Sequence, residues 1–179
     1  PPVEPLQLRR VVVEEFEKSG ITEILIITSR RKKALEDYYD REVELESVFT
    51  EQGASEKLEK IGTKDLHIFF VRQQRMRGTG HALLQARPFL GNEPFVVAYP
   101  DDLHFGEVPL TRQLIETYEE TGCTVLATVH DPSRLNDYAV PKLDSDGIHV
   151  LDLVEKPVPG TEMSREIGRA SCRERVCHR

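Results

Sequence analysis

No apolar run in the chain approaches the ~20 residues that a membrane-spanning helix needs. The opening stretch, "PPVEPLQLRR", also lacks the apolar segment of a secretory signal. The protein is therefore expected to be cytoplasmic, with no membrane partner. Cysteine is scarce: Cys123, Cys172 and Cys177 are an odd set, two of them close to the end, and make no disulfide framework. Cys172 and Cys177 with His178 match no usual zinc spacing. Cys123 precedes the apolar run "TVLATV" and is expected in the core. Positive charge is short as well. Lys and Arg number 24 against 31 Asp and Glu, a net charge of −7, which argues against a nucleic-acid partner. A small anionic ligand stays open, because local charge decides its binding.

What is present is an ordinary soluble balance, 39% hydrophobic and 31% charged over 179 residues, enough for one α/β domain with a core. Leu8 to Ser19 reads as a helix closed by Gly20. "EILIIT" (Glu23 to Thr28) and "LHIFFV" (Leu66 to Val71) are nearly continuous apolar runs, as in strands buried on both faces. Ser29 can cap a helix through "RRKKALEDYY", and a charged helical region from Arg41 to Lys60 is broken at Gly53. A short helix is expected over Ala82 to Ala86, a strand over Pro94 to Tyr99, and a helix over Leu110 to Thr121 closed by Gly122. "TVLATV" is a fourth strand. "YAVPKLD" and "GIHVLDLVEKP" flank a turn at Asp146-Gly147. The alternation predicts an α/β, Rossmann-like fold: a mostly parallel sheet with helices on both faces.

Ligands in such sheets sit at the carboxyl ends of strands, which selects Arg72 to Gly80, Pro100 to Asp102, and Glu155 to Pro157. At the first, Gly78 and Gly80 let a ring or a phosphate approach the backbone, and the amide of Gln73 suits the edge of a base. The same glycines are equally those of a plain turn. At the second, the adjacent Asp101 and Asp102 suit Mg²⁺, or a solvated turn. At the third, Lys156 can neutralise phosphate and Glu155 can accept from sugar hydroxyls, or the two are surface charges.

Taken together, "VVEEFEKSGITEILIIT", "ALEDYYDREVELE", "VRQ" followed by "GTGHALLQA", "YPDD" and "VEKP" resemble the bacterial UTP–glucose-1-phosphate uridylyltransferases, within the sugar-1-phosphate nucleotidyltransferases. The resemblance runs from about Val11 to Pro157. It implies an enzyme using UTP, glucose 1-phosphate and Mg²⁺, homo-oligomeric at full length. Gln73 and the Gly78 backbone would contact uracil, with Asp101 holding the metal and Asp102 supporting it at the nucleotide. Ala139 and Glu155 would contact the sugar, and Lys156 the phosphates. Ala139 stands where the family usually has glycine, which adds a methyl group beside the sugar. Residues 1–165 are then expected to be a partial catalytic domain without the family's Gly-rich loop and C-terminal part, and inactive alone. "EIGRASCRERV" resembles a translated sequencing adapter, so 166–179 are expected to be a non-native, disordered tail. The alternatives are a thymidylyl or adenylyl transferase, and a non-catalytic nucleotide-binding module.

Overall fold

A computed structural model describes residues 5–30, 33–39, 43–56, 66–100 and 103–173. These fall into two compact units, one from 1–15 with 92–179 and one from 16–91.

In the unit of residues 16–91, strand β1 (Glu23–Thr28) follows the end of helix α1 (Pro5–Lys18). Gly20, at φ 86°, makes the turn between them, and Ile21 donates to the Phe16 carbonyl at 3.0 Å. After α2 (Lys33–Tyr39) and α3 (Val43–Glu51), strand β2 (His67–Arg72) pairs with β1 in parallel, Glu23 opposite His67 through Thr28 opposite Arg72. β1 is the better buried of the two, with Ile24 and Thr28 inside. β2 alternates, leaving Phe69 46% exposed, so it is half-buried where the apolar run suggested two covered faces.

Helix α4 (Thr79–Leu90) is longer than the apolar pattern alone indicates. It opens directly after Gly78 and carries Pro88 in its last turn. A proline there sacrifices one intrahelical bond close to an end where bonds are already running out, and Gly91 stops the helix.

In the other unit, β3 (Phe95–Val97), α5 (Leu110–Thr121) and β4 (Val125–His130) follow in order. α5 ends as its sequence dictates: Gly122 is left-handed and its N–H reaches the Tyr118 carbonyl at 2.8 Å. Leu114 is the buried centre of a cluster with Val96, Leu110, Tyr118, Val125 and Ala127. Cys123 is exposed and not in the core. It lies in the turn between Gly122 and β4, ahead of the residues that pack.

β5 (Ala139–Leu143) and β6 (Val150–Glu155) form an antiparallel hairpin whose turn uses Gly147 at φ 73°. The stretch expected to be disordered behaves differently: Glu166–Arg173 is strand β7, antiparallel between β3 and β4. β3 and β4 therefore run in the same direction, separated by a strand running against them. The physical reason lies in Ile167, 0% exposed, which joins Leu135 and Val140 in a second core cluster. Residues 174–179 lie outside the described residues.

Candidate functional site

The turn after β2 is built from its backbone outward. The Gln73 N–H continues the parallel ladder to the Thr28 carbonyl at 3.0 Å, which fixes where the Gln73 side chain starts. On the neighbouring residue, the Arg72 guanidinium grips the Glu36 carboxylate of α2 in a fork, with Nη2 at 2.9 and 3.1 Å from the two oxygens. The hydrogen bonds to Glu36, and then its charge, hold Arg72 above its ordinary pKa. Gly78 closes the turn at φ 87°, ψ 177°, a conformation open in practice only to glycine.

The Gln73 Nε2 group donates to the Gly78 carbonyl at 3.1 Å and lies 3.0 Å from His81 Nδ1. A carbonyl can only accept, so the amide nitrogen must face Gly78. His81 Nδ1 then accepts the second hydrogen, and the ring carries its proton on Nε2. Both amide hydrogens are committed, which leaves Oε1 as the part of Gln73 that can meet a ligand: an acceptor. Gln73 and Gly78, expected from sequence to work together, are in direct contact.

The other expected residues, apart from the acidic pair, meet at the end of the β5–β6 hairpin. Ala139 and Glu155 are register partners, and the Lys156 N–H donates to the Tyr138 carbonyl at 3.0 Å. The cluster of Leu135, Val140 and Ile167, with Tyr138 packed on it, holds the Ala139 backbone from below. Arg134 stacks over the Tyr138 ring at 4.7 Å and bonds its hydroxyl. Glu155 and Lys156 are exposed. Lys156 has φ 45°, the one positive value away from glycine among the described residues. Such a conformation costs on the order of 1–3 kcal/mol and persists only where neighbours impose it.

Asp101 and Asp102, the expected metal pair, lie outside the described residues, immediately after Pro100 beyond the end of β3. Among the described residues no cluster of three or more His, Cys, Asp or Glu is placed to hold a cation. Carboxylates adjacent in sequence are, by their chemistry alone, hard oxygen donors of the kind Mg²⁺ takes. Three groups around the candidate residues escaped the sequence reading: His81, which touches Gln73, Asn136, which bonds the Pro157 carbonyl next to Lys156, and Glu162, which bonds Asn136. His81 had a signal, since a histidine in the first turn after a glycine turn sits within reach of that turn. Asn136 and Glu162 are 26 residues apart and carried none.

The Nucleotidyl transferase family model matches residues 3–168. The chain belongs to that family. A curated relative from Staphylococcus haemolyticus, named UTP--glucose-1-phosphate uridylyltransferase, is 40% identical over 159 residues, which is 86% of this chain and 55% of the relative. The chain thus spans about half the length of the curated relatives it matches. Among solved structures, an apo UDP-glucose pyrophosphorylase aligns with TM-score 0.79 at 27% identity, covering 95% of this chain and 66% of that one. A UDP-glucose pyrophosphorylase complexed with UDP-glucose aligns equally well, at 26% identity over 96% of this chain and 65% of that one. The Rossmann-like α/β fold of the nucleotidyltransferases is the fold of this chain.

Proposed function

We propose that the protein transfers a uridylyl group from UTP to glucose 1-phosphate, giving UDP-glucose and pyrophosphate, as a bacterial, cytoplasmic enzyme. The observation that carries this reading is the 40% identity to a relative named for that activity. The chemistry of the residues supports it. Gln73 offers a bare carbonyl oxygen, which matches the N3–H of uracil and opposes the N3 lone pair of cytosine. The backbone at Gly78 lets the ring come close.

Backbone at Ala139 and the Glu155 carboxylate take sugar hydroxyls. The Lys156 ammonium neutralises phosphate charge that grows as pyrophosphate leaves. A phosphate oxygen of glucose 1-phosphate is already ionised, so it attacks the α-phosphorus without a general base, and catalysis rests on positioning and charge. Asp101, with Asp102, would hold Mg²⁺, which when bound supplies further neutralisation on phosphate oxygens.

The test is pyrophosphate release by the full-length protein with UTP, glucose 1-phosphate and Mg²⁺. Release with UTP well above that with dTTP or ATP is expected. No release, or equal release with all three, overturns the proposal. Asp101→Asn should abolish the metal-dependent turnover and leave the circular dichroism spectrum unchanged.

A further inference from the structure

Lys156 holds a backbone conformation that its own side chain disfavours, and the atoms that impose it are identifiable. The residue after it, Pro157, is buried, and its carbonyl accepts from Asn136 Nδ2 at 2.7 Å. The same amide nitrogen donates to Glu162 Oε1 at 2.8 Å. The other oxygen of Glu162 accepts from the Gly160 N–H at 2.8 Å, and the Thr161 N–H returns to the Val158 carbonyl at 2.9 Å. Residues 157–162 are thus a closed loop, latched on one asparagine side chain. That asparagine lies two residues before Tyr138, whose carbonyl receives the Lys156 N–H. Lys156 is held on both sides: its own N–H by Tyr138, and the next carbonyl by Asn136.

We infer that Asn136, with Glu162, is a positioning residue that keeps Lys156 in the left-handed conformation and so aims its ammonium group. Asn136 has no chemistry of its own in the reaction. Its two donors are both spent on the loop. Glycine would adopt the same backbone without help, but glycine has no ammonium. A lysine needed at a left-handed position has to be restrained by its neighbours, and the latch supplies the restraint. The catalytic part of this inference rests on the role proposed for Lys156; the conformational part does not.

Two measurements separate these parts. In the 179-residue chain, NMR couplings that report φ should give a positive value at Lys156. Asn136→Ala should return it to a negative one, and Glu162→Ala, which breaks the latch from its other side, should shift it in the same direction by less. A negative φ in the unsubstituted chain, or a positive φ that survives both substitutions, overturns the inference whatever the protein's reaction is.

In the full-length protein, Asn136→Ala should lower kcat between about tenfold and the roughly hundredfold that a 1 Å misplacement can cost, with KM for UTP changed less than about twofold. In a Lys156→Ala background the same substitution should cost nothing further. Losses that multiply, or a change confined to KM, contradict a role through Lys156. If the unsubstituted full-length protein releases no pyrophosphate, the proposed function fails and the φ measurement alone decides the latch.

Discussion

The turn at Gln73–Gly78 and the hairpin end at Tyr138–Lys156 both need a left-handed residue, and they obtain it in opposite ways. At the first, glycine takes the strained position, and the side chain proposed to meet the base sits five residues earlier, where its backbone is an ordinary strand end. At the second, the strained residue and the one proposed to act on phosphate are the same, Lys156. The first turn can rely on glycine and two side-chain hydrogen bonds. The second stands on a packed core and a latched loop. Where strain and chemistry are separated, backbone freedom suffices; where they coincide, the surroundings must hold the conformation.

The comparison can be broken at several depths. The deepest cut is Ile167→Ala, which removes a fully buried side chain from beneath the hairpin and should cost about 3 kcal/mol in urea unfolding of its unit. A cost below 1 kcal/mol would mean that β7 does not support the hairpin. Gly78→Ala comes next. No atom lies within 4 Å of the added methyl group, so the cost, about 2 kcal/mol, is purely conformational. Lys156→Gly should do the reverse and stabilise by about 1 kcal/mol while sharply lowering, but not abolishing, turnover in the full-length protein. A destabilising Lys156→Gly would show that no strain is stored there.

Smaller still is His81→Phe. It frees one hydrogen of the Gln73 amide, and the KM for UTP in the full-length protein should rise about three- to tenfold, one hydrogen bond's worth. The discrimination against CTP should fall with it.

The smallest effect is pH-dependent and lies at the far end of the hairpin. The hydrogen bond His149 donates to the Asp146 carboxylate, and then that carboxylate's charge, raise the pKa of His149 above its ordinary 6.5. That contribution to stability is complete below the unfolded value and is lost as pH rises through the raised folded value. His149→Ala should therefore lower the melting temperature slightly near pH 5.5 and not at all well above the folded pKa. Glu162 has the opposite sign. Hydrogen bonds from Asn136 first, then from backbone N–H groups, hold its pKa down, so its contribution disappears as pH falls.

Much of this was legible in the sequence because it is local. The bounds of β1 and α5 and the left-handed glycines at 20, 122 and 147 follow from short-range patterns. The misreadings are non-local. Ile167 carries no periodic signal, yet its pairing opposite Val129 of β4 places it in the cluster with Leu135 and Val140, where it is buried. Cys123 has a core residue's chemistry but occupies a turn position. The link from Asn136 to Glu162 joins loops whose proximity depends on the hairpin first being formed.

The most direct test of the account is a titration of the ¹⁵N-labelled protein with UDP-glucose, followed by NMR. The amide signals of Gln73, Gly78 and His81, and those of Ala139, Glu155 and Lys156, should shift, while those of the Asp146–His149 turn stay fixed. With CDP-glucose the Gln73 group should respond far less. Shifts absent from both groups, or equal responses to the two nucleotide sugars at Gln73, would contradict it.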